Sequence, residues 1–217
     1  EWVQQALSQG VSVVTANKLL MATHAPELIS LASTHGSQIR FEAAVAGGVP
    51  IIDGIRFGLA GDQLSRVVGI LNGTCNFILS RMTSTESMSA VLEEAQRLGY
   101  AEADPSLDIE GLDAAYKLSI LSTVGFHKYV KGSDVYSEGI TKLKAKDFIY
   151  AKELGYTIKL IAVALSAGVS KISSEAGVSD VMEAYVSNNS TLTDNISSSS
   201  DVSLTKIDRS AYAALAG

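Results

Sequence analysis

The charged residues best placed to do chemistry lie in one polar loop and in the helix predicted to follow it. Glu102 and Asp108 fall in the loop, and Asp113 and Lys117 are spaced four apart on the helix. That spacing puts a carboxylate, which can hold a cationic group, and a proton-donating ammonium on one helix face. Such a pair is usually a solvated surface pair. The flanking residues are almost all apolar, however, which indicates burial, and buried charges are costly unless they serve each other or a ligand.

The elements that must position these side chains alternate between helices and strands. Glycines such as Gly10, Gly36 and Gly99 end several of them, and Pro26 suits the first turn of a helix. The predicted order is helix 1–9, buried strand 11–14, helix from about 26 to 36, strand 39–45, helix 50–60, strand 64–71, helix 83–98, helix 111–123, helix 145–154 and strand 156–165. The helix predicted over 83–98 begins with a capping box formed by Thr83 and Glu86. This alternation predicts an α/β fold.

Composition limits the class of protein. The 217 residues are 47% hydrophobic and 18% charged, which is typical of a globular chain. The net charge is −6 and lysines and arginines form no block, so nucleic acid and membrane partners are not expected. Cys75 is the one cysteine of the sequence, which excludes an intramolecular disulfide. With no apolar stretch long enough to cross a bilayer and no signal-peptide pattern at the start, a cytoplasmic protein is expected.

Four motifs, in order along the chain, resemble those of homoserine dehydrogenases. The stretch from Gly99 to Lys117 is similar to the signature of that family. The other three motifs are Thr15-Ala-Asn-Lys18, Glu42-Ala-Ala-Val-Ala-Gly-Gly-Val-Pro50 and Gly69-Ile-Leu-Asn-Gly-Thr74. The resemblance continues through Glu138-Gly-Ile140 and residues 151–164, so it covers roughly the first three quarters of the chain.

The resemblance implies interconversion of L-aspartate-4-semialdehyde and L-homoserine by hydride transfer with NADPH or NADH, on the path to threonine and methionine. Glu102 and Asp113 fall at the family positions that bind the substrate ammonium. The backbone amides of Gly73 and Thr74, at the predicted start of a helix, suit the substrate carboxylate. The aldehyde oxygen gains negative charge as hydride arrives, so a proton donor or a cation must stand beside it.

Two lysines match family positions near that oxygen. Lys117 matches the acid–base lysine, and Lys18 matches a second lysine near the nicotinamide and the reacting centre. Outside the motif, Lys18 would be a solvent-exposed residue at the start of a helix. Asp108 falls where the family has a further carboxylate, which could tune Lys117 or hold a water molecule; the alternative for Asp108 is a plain helix N-cap.

The segment from Glu42 to Pro50 resembles a monovalent-cation site, which in the family binds a sodium ion through backbone carbonyls. The matching positions are Glu42, Val45, Gly47 and Val49. Carbonyl oxygens suit a hard cation, and glycines let the chain turn sharply around it. A Gly-Gly turn leading into a proline-started helix explains the same residues without an ion.

The sequence contains no Gly-x-Gly-x-x-Gly turn, the element on which a dinucleotide pyrophosphate rests. We therefore expect residues 1–45 to be the C-terminal remnant of a Rossmann-type dinucleotide-binding domain. Residues 46–168 are predicted to form a substrate and dimerisation domain with a mixed β-sheet covered by helices, and residues 169–217 are predicted to form a divergent Ser-rich tail. The sequence supports two hypotheses: part of a homodimeric homoserine dehydrogenase, or a non-catalytic amino-acid-binding or dimerisation module derived from that family. It does not distinguish NADP from NAD as the cofactor.

Overall fold

The N-terminal part of the molecule is a strand–helix–strand unit preceded by a helix. The structure, a computed structural model, describes residues 1–82 and 87–166. The elements are α1 (Trp2–Ser8), β1 (Val13–Val14), α2 (Lys18–Thr34) and β2 (Ile39–Arg40). The two strands pair in parallel, which requires a crossover such as α2 between them. This arrangement confirms the predicted α/β class.

Helix α2 begins at Lys18, so the prediction of a start near Pro26 is wrong. The N-cap is Asn17, whose side chain accepts a hydrogen bond from the Leu20 amide at 2.9 Å. An asparagine in this position stabilises the first helical turn. Lys18 therefore stands at the first position of a helix, four positions past Val14, the last residue of β1.

The helix passes through Pro26 because another part of the chain compensates for the missing amide. Pro26 has no N–H to donate to the Ala22 carbonyl. The Tyr129 hydroxyl lies 3.5 Å from that oxygen and donates to the neighbouring Thr23 carbonyl at 2.9 Å. A side chain distant in sequence thus partly satisfies the backbone that the proline leaves open.

The first two strands are shorter and more exposed than predicted. Val14 is 85% exposed, so the prediction of a buried strand at 11–14 is wrong; a sheet of two strands leaves one face uncovered within the described residues. The strand predicted over 39–45 ends at Arg40, and Glu42–Ala44 forms a 3₁₀ turn instead. The Glu42 carboxylate explains the change, because it turns back to accept hydrogen bonds from the first amides of the next helix.

The remaining described elements form a second helical layer around an antiparallel strand pair. They are α3 (Ile51–Asp53), which continues into a π turn at Gly54–Gly58, β3 (Arg66–Gly69), α4 (Gly73–Arg81), α5 (Met88–Arg97), α6 (Ser106–Ile109), α7 (Leu112–Phe126), α8 (Ala145–Glu153) and β4 (Ala162–Leu165). Strands β3 and β4 are antiparallel, with Arg66 opposite Leu165. A mixed sheet was predicted for the substrate domain, and within the described residues it is represented by this antiparallel pair. The strand predicted over 156–165 is shorter than expected and corresponds to β4.

Helix α7 joins the two parts of the molecule. It contributes Ile120 and Leu121 to the core built around α1, α2 and α3, and it also contacts α6 and both strands of the second sheet. A separate core lies between α4, α5 and α8, around Ile78, Val91 and Ala151. Because partners cover α7 on several sides, its sequence is apolar nearly all round, as the flanks of Asp113 indicated.

Two predictions fall on residues that the structure does not describe. The capping box of Thr83 and Glu86 lies outside the described residues, within which α5 starts at Met88 with Ser87 as its N-cap. The tail predicted for 169–217 also lies outside them. In the described part of the chain, no helix combines the length and apolar character that a membrane crossing needs.

Candidate active site

The centre of the site is the carboxylate of Asp113, in the first turn of α7. Its side chain is 3% exposed, and its two oxygens bind different lysines. Lys18 Nζ, from the start of α2, lies 2.8 Å from Oδ1, and Lys117 Nζ, one turn along α7, lies 2.6 Å from Oδ2. Asp113 is thus buried and Lys117 is half-buried, so the two do not form a solvated surface pair.

The charges of this cluster support one another. Burial by itself would raise the pKa of Asp113, but hydrogen bonds from Lys117, Lys18 and Asn72 outweigh it and hold that pKa below its usual range. The hydrogen bond to Asp113 raises the pKa of Lys18 above its ordinary value. At neutral pH the site therefore contains an ionised carboxylate and a protonated lysine.

Two of the three N–H donors of the Lys117 ammonium are used within the protein. Besides the Asp113 bond, Lys117 Nζ donates to the Leu71 carbonyl at 2.9 Å. An ammonium carries three N–H donors, so these two contacts orient the group and leave one donor for an oxygen in the neighbouring cavity. A lysine held in this way can deliver a proton at a defined point.

Asn72 links the two acids of the motif and was not predicted as a site residue. Its side-chain oxygen caps α4 by accepting from the Cys75 amide at 2.7 Å. Its amino group donates to Asp108 Oδ1 at 2.7 Å and to Asp113 Oδ2 at 2.9 Å. Asp108 lies inside α6 and caps no helix, so its N-cap alternative is wrong. The position of Asn72 before Gly-Thr was the one signal in the sequence, since it has the form of an N-cap.

The first turn of α4 provides backbone donors and fixes the loop above it. The amides at the start of a helix have no intrahelical partner, and Asn72 takes that of Cys75. The amides of Gly73 and Thr74 belong to the same turn, and both residues line the cavity. The Thr74 hydroxyl donates to the Tyr100 carbonyl at 2.7 Å, which ties the loop to the helix.

These groups surround one open cavity of about 620 Å³. That volume suits a small polar ligand. Among the predicted residues, those that line it are Lys18, Gly73, Thr74, Asp108, Asp113 and Lys117. Further along α4, the cavity is also lined by Asn76, Phe77 and Ser80, which no sequence motif indicated.

Glu102 was predicted to bind the substrate ammonium, but its side chain lies away from the cavity. Its side chain is exposed and does not line the cavity, while its backbone carbonyl accepts from Gln96 Nε2 at 3.0 Å. The Glu102 charge nevertheless contributes to the raised pKa of Lys18, after the larger effects of Asp113 and Asp108. In this structure the Glu102 charge therefore influences the cavity by a longer-range electrostatic interaction and not by a direct contact.

The segment predicted to bind sodium forms a tight turn. Ala46 and Gly47 both have positive φ, 59° and 56°, which supplies the sharp reversal expected there. The Glu42 carbonyl accepts from the Val45 amide at 3.3 Å, and the Val49 carbonyl accepts from the Ile51 amide at 2.8 Å. Within the described residues, no group of three or more His, Cys, Asp and Glu side chains could hold a metal ion. A site made of backbone carbonyls stays a prediction.

The Glu42 side chain has a structural function in the same turn. Its two carboxylate oxygens accept from the Ile52 and Asp53 amides at 2.9 and 2.8 Å. These amides belong to the first turn of α3, where a negative charge is favourable. Glu42 thus fixes the chain reversal after β2.

The fold and the site together define a class of protein. A parallel strand–helix–strand unit delivers Lys18 at the carboxyl end of β1, the edge at which α/β proteins bind their ligands. There it meets Asp113, a buried acid that also binds Lys117, beside an open cavity. The described residues thus combine an α/β unit with a charged cavity whose size suits a small polar ligand.

Comparison with known proteins identifies the family. The family model described as homoserine dehydrogenase matches residues 50–208, and the model for the NAD-binding domain of homoserine dehydrogenase matches residues 1–42. This chain belongs to the homoserine dehydrogenase family. The match extends past residue 164, where the resemblance between motifs ended.

Relatives agree with this assignment. The homoserine dehydrogenase of Synechocystis sp. is 50% identical over 163 residues, which is 75% of this chain and 38% of the relative. That of Corynebacterium glutamicum is 52% identical over 164 residues, or 75% of this chain and 37% of the relative. The chain therefore spans less than two fifths of the length of these relatives.

Solved structures show the same fold. A homoserine dehydrogenase from Thiobacillus denitrificans superimposes with a TM-score of 0.73 at 51% identity, covering 76% of this chain and 38% of that one. A hyperthermophilic archaeal homoserine dehydrogenase in complex with NADPH gives 0.65 at 32% identity, covering 76% and 48%.

Proposed function

We propose that this chain provides the substrate site of an NAD(P)-dependent homoserine dehydrogenase, which interconverts L-aspartate-4-semialdehyde and L-homoserine. One observation carries the proposal: Asp113 binds both Lys18 and Lys117 at the wall of the cavity. A buried acid that holds two cations beside a space for a ligand is costly for a purely structural purpose.

The substrate fits between the acid and the start of α4. Its ammonium binds Asp113, with the Glu102 charge nearby, and its carboxylate binds the amides of Gly73 and Thr74, at the positive end of the helix dipole. Both oxygens of Asp113 already bind lysines, so the substrate ammonium displaces one of them. We expect Lys18 to move, because its side chain is 37% exposed whereas that of Lys117 is 21% exposed.

Proton transfer falls to Lys117. In the direction of reduction, the nicotinamide of NADPH or NADH would supply a hydride to the aldehyde carbon, and the aldehyde oxygen would gain a negative charge. The Lys117 ammonium donates its third proton to that oxygen and becomes a neutral amine, which regains a proton from solvent. Asp108 lines the cavity and accepts a hydrogen bond from Asn72, and its proposed role is to order a water molecule that returns the proton to Lys117. In the reverse direction Lys117 removes the hydroxyl proton of homoserine.

The cofactor and further partners follow the family. Residues 1–42 match its NAD-binding domain. We propose that the nicotinamide end of NADP or NAD binds beside Lys18, past the carboxyl end of β1. We also propose a homodimer through the sheet, the cytoplasm as compartment, and a sodium ion at the carbonyls of Glu42, Val45, Gly47 and Val49. The positive φ angles at Ala46 and Gly47 support the sodium proposal, because they supply its turn.

Substrate discrimination tests this function. The chain is joined to the nucleotide-binding segment of the Thiobacillus denitrificans relative, and NADPH oxidation is followed with L-aspartate-4-semialdehyde and with succinate semialdehyde, which lacks the amino group. We expect kcat/KM to be at least about a hundredfold lower for succinate semialdehyde, because Asp113 then loses its ligand. Equal kcat/KM values would contradict the proposed site. Binding of L-homoserine without any turnover would favour the non-catalytic module.

A further inference from the structure

We propose that Asn72 is a positioning residue of the site: its carboxamide holds Asp108 and Asp113 side by side and turns Asp113 so that each carboxylate oxygen meets a different lysine. The inference deepens the proposed function and rests on it for its catalytic consequence. The geometric part rests on contacts alone.

The side chain of Asn72 is fully occupied. The residue is 3% exposed, and its amino group donates one hydrogen bond to Asp108 and one to Asp113, at 2.7 and 2.9 Å. Its oxygen accepts from the Cys75 amide at 2.7 Å. Since both hydrogens and the oxygen have partners, the carboxamide cannot rotate without losing all three contacts.

Charge explains why a carboxamide is needed at this point. Two carboxylates bound to the same nitrogen repel each other, and each hydrogen of the amino group compensates one of them. Asp113 Oδ2 thereby receives Asn72 and Lys117 together, which leaves Oδ1 for Lys18. A residue without two N–H donors would leave the two acids to separate, to take up a proton or to turn toward the lysines.

The same helical turn holds the loop from which Asp108 comes. The Cys75 thiol donates to the Asp108 carbonyl at 3.1 Å, and the Thr74 hydroxyl donates to the Tyr100 carbonyl at 2.7 Å. Burial raises the pKa of the Cys75 thiol to about 12, so it stays a donor at neutral pH. Asn72 thus connects a rigid helix start to both acids, and its cap fixes the direction of its amino group.

Two substitutions separate positioning from capping. Asn72→Ser keeps an oxygen that can cap the Cys75 amide but removes both N–H donors. Asn72→Asp keeps the cap and the shape but puts a third carboxylate between the other two. The titration of Asp113 is followed by carboxyl ¹³C NMR, with Asp113→Asn to assign the signal. We expect the pKa of Asp113 to rise in Asn72→Ser and to rise further in Asn72→Asp, because a donor is lost and then a negative charge is added.

A matched control removes a cap far from the acids. Ser87 caps α5 by accepting from the Ala90 amide at 3.3 Å, so Ser87→Ala lowers stability without touching the cluster. Its Asp113 titration should equal that of the unmodified chain. An Asp113 pKa that is unchanged in both Asn72 variants would overturn the inference, and so would an equal rise in Ser87→Ala.

Measuring turnover distinguishes a failure of the positioning role of Asn72 from a failure of the proposed function. In the fused protein with NADPH, the pH at which kcat/KM falls on the acid side should move upward in Asn72→Ser together with the Asp113 pKa. A shifted titration in a protein that never turns over would leave the positioning intact and reject the proposed function. Normal turnover with an unshifted acid limb in both Asn72 variants would reject the positioning and leave the function standing.

Discussion

Asp113 is the residue on which the other charges of the site depend. Its folded-state pKa is depressed, so its charge stabilises the fold above its unfolded pKa of about 4, and this contribution disappears as the pH falls through the folded value. We expect Asp113→Asn to lower the free energy of unfolding at pH 7 by about 2–3 kcal/mol, because Lys18 and Lys117 lose their counter-charge. Urea unfolding at pH 7 and pH 3 measures this. A loss of the same size at both pH values would contradict it.

The two acids proposed to bind the substrate ammonium should contribute unequally to the affinity for L-homoserine. Asp113 lines the cavity, whereas Glu102 is exposed and acts through its charge alone. We expect Asp113→Ala to weaken L-homoserine binding at least about tenfold and Glu102→Ala to weaken it only a few-fold, since an exposed charge is screened. Calorimetric titration measures both, with Glu110→Ala as an exposed control. A larger effect of Glu102→Ala would exchange the two roles.

Part of the site could be predicted from residue spacing, and part could not. The Asp113–Lys117 contact follows from four-residue spacing on an apolar helix. Lys18 contacts Asp113, and Asp108 is linked to Asp113 through Asn72, only in the folded chain, so only the family resemblance indicated them. Asn72 was missed because a side chain that caps a helix also has an amino group free to bind elsewhere, and the sequence does not show where that group points.

Among the elements, the turn between α6 and α7 holds Asp108 and Asp113 in place, and the Glu138-Gly-Ile140 segment packs on it. The Ile140 amide donates to the Ile109 carbonyl at 2.8 Å. A Cβ on Gly139 would overlap that carbonyl and the Glu110 backbone. The close approach therefore requires a glycine.

We expect Gly139→Ala to lower the free energy of unfolding by about 2 kcal/mol or more and to reduce turnover in the fused protein, because the turn must move. Gly54→Ala is the matched control. A Cβ on Gly54 meets no atom within 4 Å, and its backbone is helical, so that substitution should be neutral or slightly stabilising. Equal melting temperatures for the two variants would show that the packing of Gly139 has no structural weight.

The helices were predicted better than the strands. Helices α1, α7 and α8 lie close to their predicted bounds, since their patterns and terminating residues are local. The start of α2 was missed because Pro26 is tolerated through Tyr129, more than a hundred positions away. The strands were predicted too long, since apolar runs do not reveal where a carboxylate such as that of Glu42 turns the chain.

For the molecule as a whole, the nucleotide-binding part contains β1, α2 and β2 but no Gly-x-Gly-x-x-Gly turn. A protein made of these 217 residues alone should bind NADPH at least about a hundredfold more weakly than a relative with that turn, because the pyrophosphate then lacks its backbone donors. A fluorescence titration with the Thiobacillus denitrificans enzyme as reference measures the difference. Micromolar binding by the 217 residues would contradict this expectation.

We propose that Lys117 is the proton donor of a homoserine dehydrogenase site and that Lys18 assists it. The most direct test is kcat for reduction of L-aspartate-4-semialdehyde by the fused protein, measured for the unmodified form, Lys117→Met and Lys18→Met, together with the affinity for L-homoserine. Lys117→Met should lower kcat by about a hundredfold or more with little change in that affinity. Near-normal kcat in Lys117→Met, with activity abolished in Lys18→Met, would contradict the assignment and exchange the roles of the two lysines.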